Sequence, residues 1–208
     1  MNQLMRQEDI KHVEDRIRLF EEKTGCELLL VVAKESDEYP GATWRFGVIS
    51  AFVLSFCFSL FYEFHHSTLW PVLFIVTTGL MVFLGRFHWA KKFALSEREA
   101  DRETFEKAVE IFHTRGTTKV GHKVTAMIMA SILEKKITVL IDEKLKEEIT
   151  QQELDQLVHI MKPHFKKGDM GAGFIQSIDA LEEKILKDFG GKVTDISPFE
   201  LKDQILFL

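Results

Sequence analysis

Three acidic residues stand where strands are expected to end, and they are the residues of this sequence best suited to chemistry. Asp37 lies in the polar stretch "KESDEYP" after one apolar run, whereas Asp142 and Glu143 directly follow another. Carboxylate oxygens suit hard cations such as calcium or magnesium, and carboxyl groups also act as general acids and bases. Asp37, Asp142 and Glu143 are therefore the candidate metal ligands. We nevertheless favour the interpretation that they solvate turns.

The histidines and one glycine-rich stretch are weaker candidates. His65 and His66 are adjacent without a nearby third ligand, and His159 and His164 are five apart, which turns them to different faces of a helix. The stretch "GDMGAG", starting at Gly168, matches neither a P-loop nor the dinucleotide fingerprint. We interpret His65 and His66 as solvated turn residues and His159 and His164 as solvated or partly packed. The glycines are interpreted as the end of one helix and the close-packed start of the next.

No assembled catalytic motif occurs in the sequence. A nucleophile elbow, a kinase signature and a metalloprotease pattern are all absent. Cys26 and Cys57 share no spacing motif, so we predict two buried, inert thiols and no disulfide framework. Calcium or magnesium is thus the one cofactor class that the residues suggest.

Two uncharged apolar runs, 46–62 and 69–85, are separated only by the polar piece "EFHHST". Each run reaches the roughly 17 to 25 residues that a membrane-spanning helix needs. Aromatic residues with a polar atom, which prefer the headgroup layer, stand at or just outside the ends of the runs: Tyr39, Trp44, Tyr62, Trp70 and Trp89. A mean hydropathy near zero in a chain with 28% charged residues also requires segregated apolar residues. The sequence predicts a transmembrane helical hairpin.

Basic residues predict the orientation of this hairpin. Arg45 precedes it, Arg86, Lys91 and Lys92 follow it, and the connection between the runs has no lysine or arginine. The positive-inside rule then places both termini in the cytoplasm. Because the charged N-terminal residues contain no apolar segment, no cleavable secretory signal is expected. We predict a two-pass protein of the plasma membrane or bacterial inner membrane.

Small residues recur every fourth position in the first run, at Gly47, Ala51, Ser55 and Ser59. Such a stripe allows another helix to approach closely. The partner helix is either the second helix of the same hairpin or, alternatively, a second copy of the chain in a homo-oligomer.

The chain before and after the hairpin carries helix and strand patterns. A helix is expected to end at Gly25, and the short apolar run "CELLLVVA" then predicts a buried strand. After the hairpin, Ser96 and Glu99 form a capping box for a helix whose apolar stripe is Ala100, Phe105, Ala108, Val109 and Phe112. The runs 124–133 and 137–141, joined by a charged turn, predict a β-hairpin.

Two more amphipathic helices follow this β-hairpin. Thr150 and Glu153 form the capping box of the first, and Gly190 and Gly191 are expected to end the second. The tail "KVTDISPFELKDQILFL" has an apolar tip that could add a short element to the domain.

These elements predict an α/β fold, a small central β-sheet covered by helices with the transmembrane hairpin inserted. Because two strands alone are marginally stable, the first strand must join the later pair. Residues 1–43 and 90–191 are then two parts of one cytoplasmic domain, 44–89 form the hairpin and 192–208 form a C-terminal tail. The net charge of -5 gives no basic field, so nucleic acid is not an expected partner.

The chain resembles the TPM-domain family, also called the thylakoid acid phosphatase and photosystem-repair family. The residues that carry the resemblance are "TGCELLLVVAKESDEYP", "READRETFEKAVEIF", "MIMASILEKKITVLIDEKL" and "KKGDMGAGFIQSIDALEEKIL". It is most similar to the bacterial branch in which two transmembrane helices split the domain. The resemblance implies a small α/β sheet, and it suggests acid phosphatase activity, calcium binding, or assembly and repair of membrane complexes.

The family's strand-ending aspartate corresponds to Asp142, but "DEKLKEEI" lacks the glycine that normally follows. A chain without glycine approaches a bound group less freely. We therefore favour a non-catalytic, membrane-anchored module for assembly, quality control or envelope homeostasis over a metal-dependent acid phosphatase. The expected partners are the lipid bilayer and a membrane or cytoplasmic protein.

Overall fold

The computed structural model describes residues 5–61, 69–117, 125–189 and 205–208. The chain divides into two compact units. We call residues 36–103 the hairpin unit, and residues 1–35 together with 104–208 the α/β unit. His65 and His66, the connection "EFHHST", Tyr62 and the expected helix end at Gly190 and Gly191 lie outside the described residues.

Eight α-helices, a π-helical turn and four strands make up the described residues. The helices are α1 (Gln7–Thr24), α2 (Pro40–Phe61), α3 (Leu69–Gly85), α4 (His88–Ala94), α5 (Glu97–Ile111), α6 (Glu143–Lys146), α7 (Gln151–Lys166) and α8 (Met170–Asp188), and Phe112–Thr117 form the π-helical turn. The strands are β1 (Glu27–Ala33), β2 (Thr125–Ser131), β3 (Lys136–Ile141) and β4 (Ile205–Phe207).

The four strands form one sheet in the order β3-β2-β1-β4. β1 is parallel to both β2 and β4, whereas β2 and β3 form the antiparallel hairpin expected from the sequence. The prediction that the first strand joins the later pair is therefore confirmed. All seven residues of β1 are buried, as expected for a strand with neighbours on both sides and helices on both faces.

Alternate residues of β1 contribute to two separate cores. Leu28, Leu30 and Val32 join the larger core, which includes apolar residues of α1, α7 and α8. On the opposite face, Leu29 and Val31 join Met127 and Met129 of β2 and the apolar side of α5. The helices thus cover both faces of the small sheet, as the predicted fold class requires.

Gly25 ends α1 as expected from the sequence. Its φ of 75° is left-handed, and its N–H donates to the Glu21 carbonyl at 2.9 Å. A residue with a Cβ pays a steric penalty in this conformation, so glycine suits the position. The close turn directs the chain from α1 straight into β1.

An ion cluster joins α1 to α8. Arg16 Nη2 lies 2.8 Å from Glu182 Oε2, and Lys23 Nζ donates to Glu182 Oε1 at 2.8 Å. Arg16 Nε also donates to Asp179 at 2.5 Å. Burial alone would raise the pKa of Glu182, but hydrogen bonds from Lys23 and Arg16 outweigh burial and lower the pKa. The cluster therefore holds Glu182 ionised between the two helices.

A capping box begins α7, and it should make the α/β unit sensitive to acid. A hydrogen bond from Lys184, together with those from the N–H and hydroxyl of Thr150, lowers the pKa of Glu153 to about 2. A carboxylate with a lowered pKa stabilises the fold fully above its unfolded pKa of about 4.3, and this stabilisation disappears as the pH falls towards 2. Replacing Glu153 by glutamine should therefore flatten the loss of stability between about pH 5 and pH 2.

Urea unfolding of the detergent-solubilised protein, followed by circular dichroism over this pH range, measures the effect. Glu148→Gln is the control because Glu148 is an exposed carboxylate just before α7. An equal loss of stability between about pH 5 and pH 2 in the wild type and in Glu153→Gln would contradict the proposed acid sensitivity through Glu153.

In the hairpin unit, the small-residue stripe of α2 faces α3. Gly47, Ala51 and Ser55 are buried, and Ser55 Oγ lies 3.3 Å from Thr77 Oγ1 of α3. A Cβ built on Gly47 would lie 2.9 Å from the Val82 Cα, so the two backbones are in close contact there. The interpretation that the stripe packs on the second helix of the same hairpin is confirmed.

The outward faces of α2 and α3 are apolar. Their exposed large hydrophobic residues are Val48, Ile49, Phe52, Val53, Leu54, Phe56, Phe58 and Leu60 in α2 and Val72, Ile75, Val76, Leu80 and Phe83 in α3. Among the described residues, one helix, Pro40–Leu60, is long and apolar enough on its own to cross a membrane. Trp70–Gly85 is long and apolar enough only when it is counted together with His88–Ala94, to which it is bent by 104°.

Two expectations for single residues in this unit were wrong. Cys57, predicted to be buried, is exposed because it lies on the outward face of α2. Tyr39, predicted to face headgroups, is only 1% exposed, so its ring is buried in protein. Trp44 and Trp89, by contrast, are more than half exposed, at 59% and 53%.

Candidate functional site

A cleft of about 350 Å³ opens in the α/β unit between α5 and the end of β3. Its apolar lining comes from α5, the π-helical turn and β3, and its polar lining comes mainly from α6 and the start of that turn. The lining residues are Phe105, Val109, Phe112, His113, Leu140, Ile141, Asp142, Glu143 and Lys146. The cleft therefore combines an apolar floor with a charged rim.

Asp142 reaches the cleft because it directly follows β3. Its N–H donates to the Thr125 carbonyl at 2.9 Å, which holds it beside the first residue of β2. Its Oδ1 accepts from the N–H of Lys144 at 2.8 Å and so caps α6. One carboxylate oxygen of Asp142 is thus already used to begin a helix, and Glu143 follows it in the first turn.

The structure brings two of the three predicted ligands to this cleft. Asp142 is half-buried and Glu143 is exposed, and both line the cleft. Asp37 lies in the hairpin unit, where its Oδ2 accepts from the N–H of Tyr39 at 3.2 Å and closes a tight turn. Within the described residues, no group of three or more histidine, cysteine or acidic residues is placed to hold a metal ion.

Sequence reasoning missed His113 and Lys146 as cleft residues. Lys146 is three residues after Glu143, which places the two side chains on neighbouring positions of the α6 turn. His113 directly follows the last residue of the α5 stripe, Phe112, and its ring meets that of Phe112 edge-on at 6.0 Å. The i, i+3 spacing was visible in the sequence, but the approach of α5 to β3 was not.

Phe105 corrects the predicted apolar stripe of α5. Ala108 and Phe112 are buried against the sheet, but Phe105 is 54% exposed. Seven residues, or about 10 Å of helix, separate Phe105 from Phe112. Phe105 therefore lies beside the open cleft and not in the core.

The remaining candidates behave as the sequence suggested. Gly168 ends α7 with a φ of 79°, and Asp169 caps α8 by accepting from the N–H of Ala172 at 3.3 Å. A Cβ on Gly171 would lie 3.0 Å from Asp9 Cβ, so the interpretation of "GDMGAG" as a close-packed helix start is confirmed. His164 Nε2 lies 3.0 Å from Gln176 Oε1, and His159 is exposed on α7.

Cys26 is unsuited to chemistry at neutral pH. It is buried just before β1, and burial raises the pKa of its thiol to about 12. The thiol is therefore protonated and a poor nucleophile. The prediction of a buried, inert thiol is confirmed for Cys26.

The part of the chain that contains the cleft is similar to a known protein family. A model of the family described as the TPM domain matches residues 93–184. Residues 93–184 are thus similar to the TPM-domain family. The TPM domain match runs from the last residues of α4 into α8 and contains every residue that lines the cleft. Two of the four strands lie outside the matched range, since β1 precedes it and β4 follows it.

A solved structure supports the fold of this chain over its length. The NMR structure of the BA42 protein from the psychrophilic bacterium Bizionia argentinensis is similar with a TM-score of 0.54 and 14% sequence identity. The similarity covers 98% of this chain and 94% of that chain. At this identity the likeness concerns the fold alone. No curated protein matches the chain.

Proposed function

We propose that this TPM domain protein is anchored in the membrane by two spans and binds another protein through the cleft between α5 and β3. Binding takes place at the cytoplasmic face and serves assembly or quality control, without catalysis. The observation that carries the proposal is the open cleft itself, with an exposed phenylalanine beside an apolar floor and a rim of both charge signs.

The cleft suits an apolar anchor side chain of a protein partner. Its volume of about 350 Å³ lies at the small end of ligand pockets and suffices for one or two side chains. Phe105, Val109, Phe112 and Leu140 would contact an apolar side chain, and aromatic residues are enriched at the centre of protein interfaces. The rim charges would then favour one orientation of the partner over others.

The membrane anchor is supported by the hairpin unit. The large apolar residues of α2 and α3 that face outward would contact lipid, whereas the small residues between the helices bring them together. Arg45, Arg86, Lys91 and Lys92 at the open end of the hairpin support the orientation with both termini in the cytoplasm.

A metal-dependent acid phosphatase is the alternative function, and the neighbouring carboxylates of Asp142 and Glu143 are the observation that favours it. Asp142 already caps α6, however, and calcium takes six to eight oxygen ligands. The full-length protein can be assayed on a generic phosphate ester with and without calcium or magnesium. We expect no turnover that depends on Asp142. Turnover that Asp142→Asn abolishes would overturn the non-catalytic proposal.

Site-directed photo-crosslinking tests the binding proposal in intact cells. A photoreactive phenylalanine analogue replaces Phe105 in one variant and Leu19 in the other. Leu19 is the matched control because it is a large apolar residue of α1 that is 49% exposed, close to the 54% of Phe105. We expect a discrete crosslinked protein from position 105 and none from position 19. Equal crosslinking at both positions, or none at either, would count against the cleft as a partner site.

A reporter enzyme fused within residues 63–68 tests the topology. We expect activity characteristic of the outside of the membrane from a fusion in this connection, and cytoplasmic activity from a fusion to the N-terminus. A cytoplasmic signal from the connection would contradict the proposed orientation.

A further inference from the structure

α4 leaves the hairpin at nearly a right angle. Residues His88–Ala94 are bent by 104° from Trp70–Gly85, with a break of two residues, Arg86 and Phe87, between them. A helix that follows a membrane span at this angle lies roughly parallel to the membrane surface. This orientation rests on the proposed function, in which α3 spans the membrane.

One side of α4 is apolar and exposed. Trp89 and Phe93 are four residues apart and so lie on one helix face, and they are 53% and 83% exposed. Phe87, which precedes α4, is 50% exposed. The opposite side is fixed to the protein, since Ala90 and Lys91 are buried. Water is a poor environment for such a group of aromatic side chains.

The charged residues of α4 and of the positions next to it are all basic. Residues 86–95, "RFHWAKKFAL", contain Arg86, Lys91 and Lys92 and no acidic residue. Arg86 and Lys92 are exposed, and Lys92 lies next to Trp89 and Phe93 around the helix. An aromatic face flanked by cations fits a layer of anionic headgroups above acyl chains.

We propose that α4 binds the anionic lipid headgroups of the cytoplasmic leaflet. Trp89 and Phe93 insert at the boundary between headgroups and acyl chains, and Arg86 and Lys92 contact the lipid phosphates. The Trp89 ring is already held in place in the free protein, because it meets the ring of Phe46 of α2 edge-on at 5.5 Å. Binding therefore requires little further ordering of the Trp89 side chain.

Fluorescence of Trp89 tests this proposal on the full chain. In a Trp44→Phe, Trp70→Phe background, Trp89 is the single tryptophan. The protein is reconstituted in vesicles of phosphatidylcholine alone or of phosphatidylcholine mixed with phosphatidylglycerol. Iodide then quenches tryptophan exposed to water, and lipid brominated near the headgroup quenches tryptophan inside the bilayer. Resistance of the protein to alkaline carbonate extraction reports the membrane anchor separately.

In vesicles with phosphatidylglycerol we expect Trp89 to be quenched by brominated lipid and protected from iodide. Replacing Arg86 and Lys92 by glutamine should lower the ratio of membrane-bound to water-exposed α4 by about fivefold per cation removed. The shift should be much smaller in phosphatidylcholine alone. Lys162→Gln with Lys166→Gln is the matched control, since it removes two exposed lysines from α7.

Three results would overturn the proposal. Iodide access to Trp89 in both vesicles, in a protein that resists carbonate, would show that α4 stays in water although the anchor is correct. Protection from both quenchers would show that protein covers the aromatic face, either a second copy or another part of the chain. Release by carbonate would refute the membrane anchor, and with it the lipid contact of α4.

Discussion

Replacing Leu30 by alanine should lower the free energy of unfolding of the α/β unit by about 2–5 kcal/mol. Leu30 is fully buried in the larger core, in the middle of a strand that has neighbours on both sides. The shorter side chain loses its apolar burial and leaves a cavity between the sheet and its covering helices. Because β1 pairs with both β2 and β4, the substitution should also destabilise strands that lie about a hundred residues or more later in the sequence.

Urea unfolding and hydrogen exchange of peptides from β2 and β3 measure this loss in the full-length protein. Leu19→Ala is the matched control, because Leu19 is 49% exposed and such surface substitutions usually change stability by about 0.5 kcal/mol or less. A loss confined to residues 1–35, with β2 and β3 still protected, would contradict the shared sheet.

Replacing Gly47 by leucine should separate α2 from α3. A Cβ at this position would lie 2.9 Å from both the Cα and the backbone nitrogen of Val82, and a backbone cannot move aside as a flexible side chain can. Overpacking of this kind costs about 1–3 kcal/mol in well-packed cores. The helices must therefore move apart, which breaks the close approach of Ser55 and Thr77.

A disulfide between cysteines at positions 55 and 77 reports this separation. In a Cys57→Ser background we expect efficient formation with Gly47, and a several-fold decrease with Gly47→Leu. Gly79→Leu provides the matched control, since a Cβ on that glycine of α3 meets nothing within 4 Å among the described residues. Equal disulfide yields in the Gly47 and Gly79 variants would contradict the α2–α3 contact at Gly47.

Local chemistry in the sequence predicted several of the helix ends in the α/β unit. Gly25 ends α1 through its own backbone conformation, and Thr150 and Glu153 begin α7 through hydrogen bonds to each other. Neither signal depends on residues that are distant in sequence. The pairing of β1 with the later strands followed from the marginal stability of two strands alone, because the apolar run "CELLLVVA" needed partner strands. The parallel direction of that pairing was not predicted.

β4 and the cleft could not be derived in the same way. β4 has three residues, too few for a periodic pattern, and its pairing with β1 depends on chain folding over the whole unit. Asp142 and Glu143 were found because strand ends are visible in the sequence. Phe105 was assigned to the core because helical spacing shows which residues share a face, but not where the covering sheet ends.

The central claim is that segments on either side of the apolar hairpin form one sheet, and a disulfide between β1 and β2 tests it most directly. Ala33 pairs with Ser131, and adjacent strands are about 4.8 Å apart, within the distance that a disulfide spans. Lys136 pairs with Ser131 from the other side, so it lies two strands, about 10 Å, from Ala33. Cysteines at 33 and 136 are therefore the matched control pair.

The measurement is made in native membranes, in a Cys57→Ser background with a protease site inserted among residues 63–68. Oxidation and cleavage should leave the two halves of the chain joined by the 33–131 pair until reductant is added, and not joined by the 33–136 pair. Halves that separate with the 33–131 pair, or that are linked equally by both pairs, would contradict the single sheet.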